Sequence, residues 1–194
     1  MSRRLLRPLS CLPPALALAA SWVTPLAMAE PGEAAAPQAR VLFAHGPVDL
    51  RRGTAEPVPA AGAVLAPGDR VATGPGGRAQ LMLADGSRVS MQAESQVRLA
   101  GAAGGLEFPS GSVRVLPAPA GTGFSLRTPR ATLTVRGASF SAAYNADGSI
   151  NVASEREPVE VCTAAGCVTA GDDNVRVRAD SLPPTRTNAR ASWR

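Results

Sequence analysis

The residues best suited to chemistry are a cysteine pair, one histidine and a set of aspartates beside glycines. Cys162 and Cys167 sit in Val161-Cys162-Thr163-Ala164-Ala165-Gly166-Cys167-Val168. Such a pair forms a structural disulfide, a redox couple or half of a metal site. A structural zinc site takes four ligands, and His45 is the only histidine in the chain. The flanking Val-x-Val-Cys and Cys-Val-Thr segments alternate like strands, and the four intervening residues end in glycine, as a hairpin loop does. In an oxidising compartment the pair is expected to staple that hairpin, which is worth about 2 kcal/mol for so short a loop.

A Ser/His/Asp mechanism would need His45 as base. It lies in the turn Ala44-His45-Gly46-Pro47, where no residue is evident to orient it, and reads as a solvated turn residue. Paired carboxylates can run acid/base chemistry without histidine, but Asp69, Asp85, Asp147 and Asp172 each adjoin a glycine, where aspartate serves turn geometry. Asp172-Asp173-Asn174 lacks the spaced oxygen ligands of a calcium loop. Gly74-Pro75-Gly76-Gly77 and Gly101-Ala102-Ala103-Gly104-Gly105 precede no expected helix and carry no lysine, so neither is a phosphate cradle. No catalytic residue, cofactor site or metal site is expected.

What remains is arginine. Arg88, Arg98, Arg114, Arg127, Arg136, Arg176 and Arg178 alternate with apolar residues and should point outward. Gathered on one face, Arg88, Arg98, Arg114, Arg127, Arg176 and Arg178 would bind an anionic glycan, a lipid headgroup or an acidic protein loop. Scattered, they are ordinary solvated positions compensated by Glu94, Glu107, Glu155, Glu157 and Glu160. Arg136 is expected in a partly buried ion pair. All 20 basic residues are arginine, against 15 acids, for a net charge of +5.

The elements that must position these groups are short strands. Glycine (19) and proline (18) are abundant and aromatics are only 4%, so the core must come from Val, Leu, Ala and a few Phe, and long helices are disfavoured. From Arg40 the chain runs in four- to six-residue alternating segments, such as Ser87-Arg88-Val89-Ser90-Met91, Ser112-Val113-Arg114-Val115-Leu116 and Asn174-Val175-Arg176-Val177-Arg178. Turn signals separate them, which predicts an all-β domain with almost no helix. Ala84-Asp85-Gly86-Ser87 recurs as Ala146-Asp147-Gly148-Ser149, and Asp-Gly between strands predicts type I′ hairpins with positive φ at both central residues.

The ends read differently. Residues 1–29 read as a signal peptide: Arg3, Arg4 and Arg7, an apolar run from Leu12 to Leu26, then Ala27-Met28-Ala29. Its removal takes three arginines and no acid, leaving 17 Arg against 15 acids, +2; nucleic acid is therefore not an expected partner. Residues 30–39 read as a linker, 40–178 as the β domain and 179–194 as a disordered basic tail. The expected location is periplasmic or secreted, with no transmembrane anchor after cleavage.

One ordered set of residues carries a resemblance. It runs Gly46-x-Val48, Pro67-Gly68-Asp69-Arg70-Val71-Ala72-Thr73-Gly74, Ala79-Gln80-Leu81-x-Leu83-Ala84-Asp85-Gly86-Ser87 and Gly111-Ser112-Val113-x-Val115. It continues with Thr128-Pro129-x-Ala131, Val135-Arg136-Gly137-Ala138-x-Phe140, Val159-x-Val161 and Ala170-Gly171-Asp172. Over roughly residues 40–178 this resembles the FecR-domain family of bacterial periplasmic proteins. The resemblance implies a β-roll, solenoid-like or sandwich-like module, with Gly68, Asp69, Asp85, Gly86, Arg136, Gly137 and Phe140 as structural motif positions. Its best-known members relay a signal from an outer-membrane receptor to a cytoplasmic sigma factor through an anti-sigma region and a membrane helix. Here a cleavable signal is read before the domain instead, and Ala138 replaces the usual threonine, so direct anti-sigma action is not expected. The function expected is an exported, non-enzymatic protein-interaction or signalling module of the envelope. The alternative is a carbohydrate- or peptidoglycan-binding module, which the shortage of Trp and Tyr counts against.

Overall fold

The computed structural model describes residues 39–100, 105–118, 124–136, 139–155, 157–171 and 173–188. The expected signal peptide, nearly all of the linker, and Gly137, Asp172 and Trp193 lie outside the described residues. The described residues fall within one compact unit. Every regular element described is a strand, and among the described residues no helix is long and apolar enough to cross a membrane.

The strands fall into two nine-stranded sheets. In chain order, the first sheet takes β1 (Ala39–His45), β4 (Val64–Leu65), β6 (Arg78–Leu83), β7 (Arg88–Met91), β10 (Ser112–Leu116), β13 (Phe140–Tyr144), β14 (Ile150–Ser154), β17 (Asn174–Val177) and β18 (Thr185–Thr187). The second takes β2 (Val48–Arg51), β3 (Val58–Pro59), β5 (Arg70–Thr73), β8 (Gln96–Leu99), β9 (Leu106–Ser110), β11 (Phe124–Arg127), β12 (Thr132–Arg136), β15 (Val159–Thr163) and β16 (Gly166–Ala170). The spatial orders are β18-β17-β14-β13-β10-β7-β6-β1-β4 and β16-β15-β12-β11-β9-β8-β5-β2-β3. Each pairing between these neighbours is antiparallel except β9 with β11. From β5 onward the chain passes back and forth between the sheets every one or two strands, so hairpins of consecutive strands are joined within each sheet by pairings between strands distant in sequence, such as β5 with β8 and β7 with β10.

Alternation explains the layering. Val113 and Val115 are buried while Arg114 between them is exposed; Val71, Val97 and Leu126 do the same in the second sheet. The inward sides of both sheets share one apolar cluster, with Phe108, Phe140, Leu81, Leu126 and Leu133 at or near zero exposure. Phe124 and Phe140 meet edge to face at 5.9 Å across it.

Several local expectations need correction. Gly86 (φ +87°) and Gly148 (φ +75°) are left-handed, but Asp85 and Asp147 are not. Leu83 N–H bonds the Ser87 carbonyl and Gly86 N–H the Leu83 carbonyl. These are three-residue loops with one left-handed glycine, not I′ turns; the aspartate is used for its side chain instead. The supposed four-residue loop between the cysteines shrinks to Ala164-Ala165, because pairing continues inward to Thr163 and Gly166. Past residue 178 the chain does not simply fray: Thr185–Thr187 pairs with Asn174–Arg176. In β9 the alternation of Leu106-Glu107-Phe108 stops at Pro109, and the two-residue strands β3 and β4 are too short to show a period of two.

Candidate functional site

The candidate catalytic groups are dispersed and occupied. Asp69, nearly buried, accepts the Ala66 N–H at 3.0 Å and the Arg52 Nε–H at 3.4 Å. Just before it, Gly68 (φ +87°) accepts the Arg98 Nε–H at 3.2 Å and donates its own N–H to Leu99. Gly68-Asp69 thus docks β5 onto β8. Asp85 accepts the Ser87 N–H at 2.8 Å and its hydroxyl at 2.9 Å. Asp147 repeats this with Ser149 at 2.9 and 2.5 Å, and those bonds hold its carboxyl below the usual carboxylate range. His45 is exposed and stacks on Phe43 at 6.4 Å.

Cys162 and Cys167 are directly paired across β15 and β16, their Cα atoms 4.0 Å apart, and joined as a disulfide. Glu160 lies close enough to complete a three-ligand cluster with the two sulfurs. In the disulfide neither sulfur is a thiolate, and thiolate is the form that binds metal. The bond closes the hairpin at one edge of the second sheet.

The arginines do not line a single side. Arg88 and Arg114 stand on the outer face of the first sheet, around a groove of about 240 Å³ with Gln80, Ser90, Leu116 and Ser139. Arg114 pairs with Glu155 there. Arg176 donates from Nε to Asn151 at 3.2 Å, and exposed Arg178 follows β17. Arg136 is paired with Glu160 at 3.3 Å, but the pair is exposed and not partly buried as expected, because Arg136 alternates outward from Val135.

Arg98 and Arg127 belong to the second sheet, where register assembles what the sequence scatters. Arg51 lies opposite Arg70, Arg70 opposite Arg98, Arg98 opposite Glu107, and Glu107 opposite Arg127. Five side chains from five strands thus form one cross-strand row on the outer face. Glu107 joins Arg98 at 3.3 Å and Arg127 at 3.8 Å. Beside the row lies a groove of about 290 Å³ bordered by Pro109, Thr128 and Pro129 as well as by Arg70, Arg98 and Arg127. Arg51 and Arg70 are the members that sequence reasoning misses. Alternation marks each as outward, but only the pairing of non-consecutive strands puts them in line.

One contact ties this region to the first sheet. Tyr144 of β13 donates its hydroxyl hydrogen to the Phe108 carbonyl of β9 at 2.7 Å, with the rings 5.1 Å apart. Burial, opposed by the Thr128 hydroxyl and the Arg130 charge, pushes the phenol up to about 12.

No curated protein matches this sequence. Two crystal structures of a Parabacteroides distasonis protein described as a candidate anti-sigma factor are similar, at 22% and 23% identity with TM-scores of 0.49 and 0.50. The alignments cover 61% of this chain and 59% of each of those chains, so the similarity spans under two thirds of their length. At that identity the second supports the fold alone. The family described as FecR protein matches residues 69–160, from Asp69 at the start of the Arg70 strand to Glu160 beside the disulfide. Residues 69–160, just under half of the chain, thus match the FecR family.

Proposed function

We propose that this chain is an exported, non-enzymatic FecR-domain module that recognises another envelope protein in a signalling or regulatory role. The observation that carries the reading is the FecR match over residues 69–160, set in a two-sheet domain whose second sheet presents a fixed row of charge on its outer face. The chemistry of the candidate groups is consistent with recognition: the carboxylates of Asp69, Asp85 and Asp147 are committed to turns, and the cysteines to a disulfide. The signal-like residues 1–29 and the cysteine pair agree with a periplasmic location. The likeness to proteins described as candidate anti-sigma factors is consistent with a regulatory role.

The test is in-cell cross-linking of the tagged full chain followed by mass spectrometry of what co-purifies from the envelope. A receptor or sensor protein, enriched over a tag-only control, is the expected result. Recovery only with peptidoglycan or polysaccharide, lost on glycanase treatment, would replace this reading with that of a wall-binding module.

A further inference from the structure

We infer that the outer face of the second sheet binds an extended acidic segment of a protein partner, its carboxylates seated between the guanidinium groups of Arg51, Arg70 and Arg98. This deepens the interaction reading above and rests on it.

The row itself is the first argument. Its five members occupy successive strands, so it spans about 19 Å, four steps of roughly 4.8 Å. Three arginines in direct succession are an unfavourable arrangement, since like charges opposite one another destabilise a sheet. Arg51 and Arg70 form no ion pair among the described residues. Their guanidinium groups can therefore accept an anion from outside without breaking a contact of the fold.

Glu107 shows which anion fits. Its two carboxylate oxygens face Arg98 on one side (3.3 Å) and Arg127 on the other (3.8 Å). The fold thus already seats one carboxylate between two arginines of neighbouring strands. Moving the same geometry along the row gives two further places, between Arg51 and Arg70 and between Arg70 and Arg98. Arginine suits this task because its planar fork meets a carboxylate through two parallel bonds.

The adjoining groove selects peptide over sugar. Its apolar border is Pro109 and Pro129, which suits aliphatic side chains interleaved with acids. Phe108 also borders the groove, but its side chain is fully buried, so it offers no exposed ring on which a sugar would stack. The row runs across the strands, so the segment would cross them and be read through side chains, not by adding a strand to an edge.

The experiment uses the full chain and fluorescein-labelled poly-L-glutamate at low salt, read by anisotropy. The expected result is saturable binding that weakens with added salt. Arg51→Gln with Arg70→Gln should weaken it about tenfold, whereas Arg88→Gln on the other sheet should leave it unchanged. If the double variant does not fold, Arg51→Gln alone, expected to weaken binding about threefold, serves instead. Unchanged affinity in the folded variants overturns the proposal. So does tighter binding of polygalacturonate than of polyglutamate at equal carboxylate concentration. Cross-linking separates this from the broader reading. An envelope protein captured by wild type and lost with Arg51→Gln/Arg70→Gln supports the row. The same protein captured by both overturns the row and leaves the interaction reading standing. No protein captured by either overturns both.

Discussion

Thr73 and Ser95 hold each other from two sides. The Ser95 N–H donates to Thr73 Oγ1 at 3.0 Å, and the Thr73 N–H donates to the Ser95 carbonyl at 2.9 Å. Thr73 ends the strand that bears Arg70, and Ser95 immediately precedes the strand that bears Arg98. Ser95 Oγ also accepts the Ser112 N–H at 2.9 Å and donates to the Ser112 carbonyl at 3.0 Å. One small polar knot thus ties the corner between the sheets and fixes the register on which the arginine row depends.

Thr73→Val keeps the shape and removes the acceptor, leaving the buried Ser95 N–H unpaired. The expected cost is about 1–3 kcal/mol, measured by urea unfolding, together with weaker polyglutamate binding. Unchanged stability would show that the knot does not set the corner.

Gly111, in the bend between β9 and β10, approaches the same serine. Its φ is +95°, and a Cβ there would lie 2.6 Å from Ser95 Cβ and closer still to Ser95 Cα. Gly111→Ala is expected to cost about 3 kcal/mol from backbone strain and overlap combined. Near-normal thermal stability would contradict the close packing at this corner.

Arg70→Glu would make the row alternate in sign. Relief of two like-charge neighbours should raise stability by about 0.5 kcal/mol, roughly 1–2 °C in Tm, while abolishing polyglutamate binding. A lower Tm would mean that the arginines are structural and not held ready for a ligand.

Tyr144 is the only tyrosine in the chain, so its ultraviolet titration reports one group. The expected midpoint is near 12, above the ordinary value of 10, because burial disfavours the phenolate. The folded pKa is raised, so its contribution to stability is complete below pH 10 and is lost as pH climbs from 10 to 12. Tyr144→Phe should flatten that part of the pH–stability curve. A midpoint near 10 in the folded protein would contradict the burial of this hydroxyl between the sheets.

The strands and the inward residues were legible because alternation is a local signal: Val113, Arg114 and Val115 declare their sides by themselves. The Asp-Gly hairpins were legible in place but not in type. The bond from Ser87 to the Asp85 carboxylate favours a three-residue loop, and neighbouring residues alone do not reveal that choice. β9 was hidden because Pro109 lacks an N–H and breaks the strand pattern; the ladder accommodates it beside the register shift between Gln96 and Arg98. Arg98 and Arg127 were marked as outward, yet their alignment with Arg51 and Arg70 depends on β5 pairing with β8 and β9 with β11. Such non-consecutive pairings are fixed by tertiary packing and leave no mark on local spacing.

The most direct test of recognition through the second sheet is site-specific photo-cross-linking in cells. A photoreactive side chain replaces Ala72, on the outer face two residues from Arg70, or Ser90, on the outer face of the first sheet. An adduct with an envelope protein from position 72 but not from position 90 is the predicted result. Adducts only from position 90, or only with polysaccharide, would contradict it.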